Sequence, residues 1–393
     1  MNYTENHLVQ AAAYSLPDVI HLDTKDLPHF AHRGLLEDLT PYIEHDSGFD
    51  TTAFFPELLP GGKVNGRYYG VPHNFSTLVL YYNKDHFDAA GLSYPDSTWT
   101  WDTFLHAAQR LTKRDESGKI VRYGCYVIMI ARTIIQQYGG SVLNENLDSC
   151  VVASPAAAAA IQFIIDLSEK YHVAWNMLSQ DLAWDDMFIG GRCSMLTNGR
   201  WAAAWYVKSR PPGSVDVAPI PRGKFRKYPS VNHVMTLSAQ STKKQEAWEF
   251  ITFLESEPAQ LMVNDDGANI PALRSIATSD EFLKHRTAPS MQNRVFLYEI
   301  PQSIAWPSEQ GPYLTQFTIH SEEDLMMRRI LLGRASTMQS LKIMQDNLNQ
   351  TIAMNRRIPQ QKPFVGSVLF YICCVAPVAA FGTLWLRRKR NLA

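Results

Sequence analysis

The sequence lacks the features of a disulfide scaffold or a nucleic-acid-binding protein. Two of its five cysteines, Cys373 and Cys374, lie in an apolar tail, and the other three are too far apart for a CxxC motif or a metal-ligand spacing. We expect those three to be free, buried thiols, although an exported protein could pair two of them. Lysine and arginine number 37 against 38 acidic residues, and no long basic stretch precedes the tail, so no nucleic-acid partner is predicted.

Motifs of common catalytic and cofactor sites are missing as well. The sequence contains no GxSxG, HExxH, GxGxxG or P-loop pattern, and its twelve histidines show no supported metal-ligand spacing. Two acidic pairs, 185–186 and 265–266, could suggest a glycosidase. Glycosidases need two carboxyl groups that face each other ~5 to ~9 Å apart, whereas adjacent residues usually point apart. We therefore predict solvated loop acids, no enzymatic activity, no cofactor and no metal.

The first ten residues contain neither a basic segment nor an apolar segment, so a signal peptide is not recognisable. This absence conflicts with the extracytoplasmic location that the apolar C-terminal segment and its flanking basic residues predict for the large domain. We expect that an N-terminal piece is missing from the sequence.

An apolar segment near the C-terminus predicts a membrane span. Residues 364–386 are 23 residues without a charge, which at ~1.5 Å per residue can cross a ~30 Å hydrocarbon layer. Four basic residues, 387–390, follow it, and three precede it within 356–362. The charge difference predicts a single-pass protein with a cytoplasmic tail and an extracytoplasmic large domain.

The remaining chain alternates short apolar strands with helices of 10 to 15 residues, which is typical of an α/β fold. Helix starts are predicted at Thr100, at Ser154 before Pro155, and at a capping box over 242–245. Two helices within 321–354 are predicted to be separated at Gly333. Strands are predicted at 16–22, 78–82, 215–218 and 234–237.

Several segments resemble those of the family 1 extracellular solute-binding proteins, the receptors of carbohydrate ABC importers, and they occur in the same order along the chain. The first segments are PDVI at 17–20, GLLEDLTPY at 34–42, YGVP at 69–72, LYYNK at 80–84, FDAAGL at 87–92 and TWTWD at 98–102. The later ones are FIGGRCSM at 188–195, AWEFITFL at 247–254 and NIPALR at 269–274. Together they cover residues 5–355. Family members usually begin with a signal peptide and a further strand, and they usually end near residue 354, so both ends of this chain depart from the pattern.

The resemblance implies a two-lobed, periplasmic-binding-protein-like α/β fold of type II, followed by the transmembrane helix. The implied limits are 1–115 for the first lobe, whose first strand is missing, and 116–255 mainly for the second lobe. Residues 256–355 would supply crossing segments and C-terminal helices that return to the first lobe. A linker at 356–363, the transmembrane helix at 364–386 and a basic tail at 387–393 would complete the chain.

The function implied by the resemblance is that of the substrate-binding subunit of an ABC importer. A sugar or oligosaccharide would be captured between the lobes by hinge closure and passed to the permease subunits, with the ATPase as an indirect partner and membrane lipid around the helix. Alternatives are a receptor for a non-sugar solute such as glycerol phosphate or a polyamine, a membrane-tethered polysaccharide hydrolase, and a degenerate fragment of a receptor–permease fusion.

The candidate ligand-binding residues are polar and aromatic residues in segments that the family places at the cleft. Aromatic rings would cover the apolar faces of a sugar, and short polar side chains would meet its hydroxyl groups. The candidates are Asp23, Asn74, Tyr81, Trp184, Trp201, Asn232 and Trp306.

Overall fold

The structure is a computed structural model that describes residues 3–127, 131–175, 184–209, 214–285, 287–288, 291–298, 300, 303–305 and 311–357. Its helices are α1 (Tyr3–Ala12), α2 (Leu27–His32), α3 (Thr40–His45), α4 (Lys84–Ala90), α5 (Trp101–Leu111), α6 (Ala131–Gln137), α7 (Pro155–Glu169), α8 (Trp184–Ile189), α9 (Ala203–Lys208), α10 (Lys244–Leu254), α11 (Glu257–Val263), α12 (Arg274–Ala277), α13 (Asp280–Leu283), α14 (Val295–Tyr298), α15 (Gln316–Leu331) and α16 (Thr337–Arg356). Its strands are β1 (Val19–Asp23), β2 (Lys63–Val64), β3 (Arg67–Tyr68), β4 (Val71–Thr77), β5 (Val79–Asn83), β6 (Lys113–Arg114), β7 (Ile120–Arg122), β8 (Met195–Asn198), β9 (Val215–Ala218), β10 (Tyr228–Leu237), β11 (Ile270–Pro271) and β12 (Ser303–Ala305). This mixture of helices and strands confirms the predicted α/β class.

The first lobe is built on a sheet of order β1-β10-β4-β11, and β12 runs parallel to the start of β10. Both β1 and β4 are antiparallel to β10. One face of the sheet covers a core that includes Leu22 of β1 and Phe30 of α2. The other face covers a core that includes Leu237 of β10 and Trp248 of α10. Helices therefore bury both faces of this sheet, as the apolar residues at alternating strand positions require.

The second lobe is built on a smaller antiparallel sheet of order β8-β5-β9. Leu80 of β5 lies in a core with Phe104 of α5, Ile161 of α7 and Leu341 of α16. This core is the largest hydrophobic cluster in the described chain.

Two segments cross between the lobes. Leu78 alone separates β4 from β5, although the two strands belong to different sheets. Strand β10 begins with Tyr228 in the core of the second lobe and continues to Val234 in the core of the first. The two-lobed fold agrees with the predicted architecture, but these two crossings lie before the range 256–355 that was expected to supply them.

Local sequence signals fix several helix boundaries. The Thr100 side chain accepts a hydrogen bond from the backbone N–H of Thr103, completing a capping box at the start of α5. The Ser154 side chain accepts a hydrogen bond from the backbone N–H of Ala157 at the start of α7, and Pro155 is the first residue of that helix. Gly333, at φ 65°, lies between α15 and α16. These three predictions are confirmed.

The predicted capping box at 242–245 is wrong. Helix α10 starts after Lys243, and no side chain caps it. Instead the hydroxyl of Ser241 accepts from the N–H of Lys243 and donates to Asp18, at 3.0 and 2.6 Å. A residue one position before Thr242 therefore orders this helix start.

The packing differs from the predicted lobe limits at two places. Strand β5 and helices α4 and α5 precede residue 115 but belong with the second sheet, because the chain changes lobe at Leu78. Helices α15 and α16 were expected to return to the first lobe. Their buried residues, including Met326 and Leu341, instead share the core of α5 and α7.

Within the described residues, Cys125, Cys150 and Cys193 are buried and form no disulfide. None of the helices there combines the length and the apolar character needed to cross a membrane. The predicted span at 364–386 lies outside the described residues.

Candidate functional site

Two of the predicted ligand residues lie on one face of the first sheet, on either side of a histidine. Asp23, the last residue of β1, pairs in register with His233 of β10. Asn74 of β4 pairs with the same histidine from the other side. Residues paired across antiparallel strands project to the same face. The register therefore places three polar side chains in one row.

The carboxylate of Asp23 is held locally. Its Oδ2 lies 2.8 Å from Nζ of Lys25, and its Oδ1 accepts from the Lys25 backbone N–H at 3.0 Å. The Asp23 side chain is 22% exposed, so the oriented carboxylate remains accessible to a solute.

Three histidines pack together on this face. The ring centroid of His21 lies 4.7 Å from that of His233 and 5.4 Å from that of His73. His73 Nδ1 lies 2.8 Å from Oε1 of the buried Glu255. Burial, with the neighbouring imidazoles of His233 and His73 acting in the same direction, lowers the pKa of His21 to about 3. In the described part of the chain, no group of three or more His, Cys, Asp or Glu is placed to hold a metal ion.

Sequence reasoning missed this cluster because its members are separated by up to about two hundred residues. A β-bulge in β4 makes His73 an extra residue, because Asn74 pairs with His233 and Pro72 pairs with the next residue of β10, Val234. The only available signal was the spacing of His21 and Asp23, which puts both on one face of β1.

A turn from the second lobe reaches the same row. Ser76 lies two residues after Asn74 and so shares its face. Its hydroxyl accepts from the backbone N–H of Arg200 at 2.7 Å. Arg200 opens the 3₁₀ turn that carries Trp201, directly after β8. This hydrogen bond joins the two lobes and places the Trp201 turn beside Asn74.

The indole of Trp201 is half-buried and lies against Gly199. A Cβ atom on residue 199 would be 2.5 Å from Cε3 of Trp201 and closer still to Cζ3 and Cη2. Glycine is required there by this contact alone, since its φ of −90° is open to any residue. The carbonyl of Gly199 also accepts a hydrogen bond from the hydroxyl of Tyr81 at 2.8 Å, which ties the turn to β5.

The guanidinium of Arg200 is fully buried beside the rings of Phe282 and Phe296, 5.5 and 5.3 Å from their centroids. Among the described residues, its three nitrogens have no hydrogen-bond partner. Burial lowers the pKa of this group, against the opposing influence of Tyr81 and Asp266. The side chain thus extends away from the exposed row and anchors the turn in the apolar core.

The lobes also meet along a seam between α2 and the start of α15. The Asp26 carboxylate accepts from the N–H of Gln316 at 3.1 Å, and His29 Nδ1 lies 3.1 Å from the carbonyl oxygen of Pro312. A cavity of about 370 Å³ adjoins the seam, lined by His32 and Tyr69 among others of the first lobe and by Asn146, Leu147 and Pro312.

The other predicted ligand residues are placed elsewhere or not described. Tyr81 is fully buried in the core, with its hydroxyl on Gly199. Asn232 neighbours His233 on β10 and so projects to the opposite face, where its Oδ1 is buried and without a partner. Trp184 is the first residue of α8, but its side chain lies outside the described part, as does the whole of Trp306. The ligand contacts of all four remain predictions.

The acidic pair at 185–186 lies on α8 and not in a loop. Asp185 accepts hydrogen bonds from Tyr206 and from Asn198 Nδ2. Burial raises the pKa of Asp185. The prediction of a solvated loop acid is therefore wrong for Asp185, whose partners lie on α9 and β8 of the second lobe.

Two α/β lobes, joined by crossing strands with a polar row at their junction, define the class of two-lobed binding proteins. Residues 3–261 of this chain match the model of the family described as bacterial extracellular solute-binding protein. The chain belongs to that family.

Solved structures share the fold. The ABC substrate-binding protein Lmo0181 from Listeria monocytogenes, in complex with cycloalternan, superimposes with a TM-score of 0.78 at 24% identity, covering 89% of both chains. Maltose-bound MalE3 of T. maritima gives a TM-score of 0.73 at 23% identity, covering 88% of both chains.

Curated relatives match over shorter stretches. A maltodextrin-binding protein of Bacillus subtilis is 26% identical over 53% of this chain and 48% of its own length. A maltotriose-binding protein of Pyrococcus abyssi is 22% identical over 70% of this chain and 57% of its own length. A Brucella abortus protein named as a binding protein is 24% identical, over 68% of this chain and 65% of its own length. The chain thus spans less than two thirds of the length of these relatives.

Proposed function

We propose that this chain is the substrate-binding subunit of an ABC importer, which captures a sugar or oligosaccharide between its lobes and delivers it to the membrane permease. The observation that carries the proposal is the junction at Asn74. There Asp23 and Asn74 of the first lobe share a sheet face with Ser76, and Ser76 is hydrogen-bonded to the turn that carries Trp201 in the second lobe. Aromatic and short polar groups in one place match the apolar faces and hydroxyl rim of a sugar.

Hinge closure would couple ligand binding to a change in the shape of the protein. A ligand that touches both lobes binds the closed form more tightly and so shifts the equilibrium toward it. The crossing strands at Leu78 and β10 are where the chain passes between lobes, so the bending is assigned to them. The resulting closed shape is what the permease would bind, and no bond of the ligand is changed.

The names of the relatives support a saccharide ligand, since several are called maltodextrin-, maltotriose- or arabinooligosaccharide-binding proteins. The apolar segment 364–386 would hold the receptor at the cell membrane, with the lobes extracytoplasmic and the basic tail in the cytoplasm. The proposed lobe limits are at Leu78 and within β10, with α15 and α16 in the second lobe, and the packing of Met326 and Leu341 in the core of α5 and α7 supports them.

The test is isothermal titration of the full chain in detergent with maltotriose, an arabinotriose, glycerol 3-phosphate and spermidine. At least one saccharide should bind. Trp201→Ala should weaken binding by roughly tenfold, about 1.5 kcal/mol, through loss of the aromatic surface. Trp205→Ala is the matched control, because that indole is 48% exposed on α9, and it should bind as the unaltered protein does.

Folded protein that binds none of the saccharides would overturn the proposal. Binding of glycerol 3-phosphate or spermidine alone would replace it with a receptor for a non-sugar solute.

A further inference from the structure

His233 makes one hydrogen bond that fixes its own proton and the orientation of Asn74. Its Nδ1 lies 2.9 Å from Oδ1 of Asn74. An amide oxygen can only accept, so the proton of the neutral imidazole must be on Nδ1. The Nε2 atom of His233 therefore carries a free lone pair, and the amide nitrogen of Asn74 keeps both of its N–H groups.

Within the described part of the chain, neither of these two atoms has a hydrogen-bond partner. Among the described residues, the bond that joins the His233 and Asn74 side chains is the only hydrogen bond that either side chain makes. Neither His233 Nε2 nor Asn74 Nδ2 is among the polar atoms that are buried without a partner. Both atoms consequently remain accessible on the face that Asp23 and the Trp201 turn border.

We propose that His233 and Asn74 act as one acceptor–donor pair for two neighbouring hydroxyl groups of the ligand, with neutral His233 as the acceptor. The proposal rests on the proposed function and narrows its substrate class to solutes with a vicinal diol. A vicinal diol offers a hydroxyl that donates to Nε2 next to one that accepts from Nδ2. Ligand capture must then depend on the protonation of His233.

The groups around His233 determine when it is neutral. Burial lowers its pKa most strongly; Lys25 and His73 act in the same direction, and Asp23 opposes them. The His21 ring packs against His233 and is itself kept neutral by burial. Glu255 faces His73 and not His233. The free protein therefore holds His233 neutral at pH 7 and for some distance below its ordinary value of 6.5.

The sign of the pH effect follows from these contacts. A bound hydroxyl occupies the Nε2 lone pair and excludes water, so the ligand lowers the pKa of His233 further. Binding is then independent of pH where the free protein is already neutral. Below the pKa of free His233, binding releases a proton, and the dissociation constant should rise by up to about tenfold per pH unit.

The test is isothermal titration between pH 5 and 8 with the tightest-binding saccharide of the panel above, beginning with maltotriose. The unaltered protein should show a constant dissociation constant between pH 7 and 8 and progressive weakening as the pH falls through the lowered pKa of His233. His233→Gln, which cannot titrate, should bind more weakly at pH 7.5 and lose the pH dependence. His106→Gln, at an exposed position on α5, is the control and should retain the normal profile.

A second measurement needs neither ligand nor variant. Nitrogen-15 NMR of selectively labelled histidines in the free protein should show His233 protonated on Nδ1 at neutral pH. Protonation on Nε2 would overturn the proposal. So would saccharide binding with a flat pH profile, a result that leaves the receptor function standing. Absence of any saccharide binding at pH 7.5 would instead remove the proposed function and this inference together.

Discussion

The position of the Trp201 ring against Gly199 can be tested by adding one methyl group at residue 199. Gly199→Ala would place Cβ 2.5 Å from Cε3 of Trp201 and nearer to two other ring atoms, whereas carbon atoms in contact prefer about 3.5–4.0 Å. The backbone of residue 199, at φ −90° and ψ 178°, accepts alanine without strain. The indole must therefore move by about 1 Å or more, because nothing else can relieve the overlap.

The expected cost follows from overpacking. Trp201 packs against two hydrophobic clusters, one that includes Leu80 and Phe104 and one that includes Tyr81 and Tyr206. A shifted ring therefore disturbs both clusters. Gly199→Ala should lower the free energy of unfolding by about 1–3 kcal/mol. In a Trp201→Ala background the overlap with the ring is removed, and the same change should be neutral or stabilise by about 0.4–1 kcal/mol through the unfolded chain.

This double-mutant cycle is measured by urea unfolding followed by far-ultraviolet circular dichroism, which does not depend on the removed indole. A coupling energy of at least about 1 kcal/mol between the two positions is expected. An equal cost of Gly199→Ala in both backgrounds would refute the assigned position of the ring. Saccharide titration of Gly199→Ala should also show weaker binding than the unaltered protein, since the aromatic surface is displaced.

Two further predictions concern buried polar contacts. Tyr81→Phe removes the hydroxyl that donates to Gly199 and should cost about 0.5–1.5 kcal/mol in urea unfolding with saccharide affinity unchanged; a large loss of affinity would instead make Tyr81 a ligand contact. Burial would raise the pKa of Glu323, but the charge of Arg132, with hydrogen bonds from His320 and Arg132, outweighs it and holds that pKa at about 2. Its contribution to stability, about 3 kcal/mol, is therefore present above about pH 4.5 and should be lost as pH falls toward 2. Glu323→Gln should flatten this part of a stability–pH profile, and an unchanged slope would contradict the ion pair.

Much of the local structure could be predicted because it depends on neighbouring residues. The cap at Thr100, the Ser154–Pro155 start and the break at Gly333 each involve residues within one helical turn. Strand β10 was harder: its apolar end at 234–237 was predicted, but its polar first half was not. That half is strand because β1, β4 and β12 supply its hydrogen bonds, and no local pattern records such partners.

The residues of the candidate site also divide into those that local patterns predict and those that depend on long-range pairing. Asp23 and Asn74 were predicted because they follow apolar segments that resemble the family's cleft strands. That His233 lies between them could not be predicted, since only the register of β10 with β1 and β4 brings it there. Asn232 was chosen for its amide, and its burial depends on which face of β10 meets the cleft, which the sequence does not specify locally.

The hinge-closure claim can be tested by measuring the distance between the lobes directly. Spin labels on Glu249→Cys of α10 and Lys342→Cys of α16, both at exposed positions, report that distance in the full chain in detergent. Addition of a saccharide shown by titration to bind should shorten the mean distance and narrow its distribution, and Trp201→Ala should reduce the response. A distance distribution that is identical with and without the bound saccharide would contradict the account.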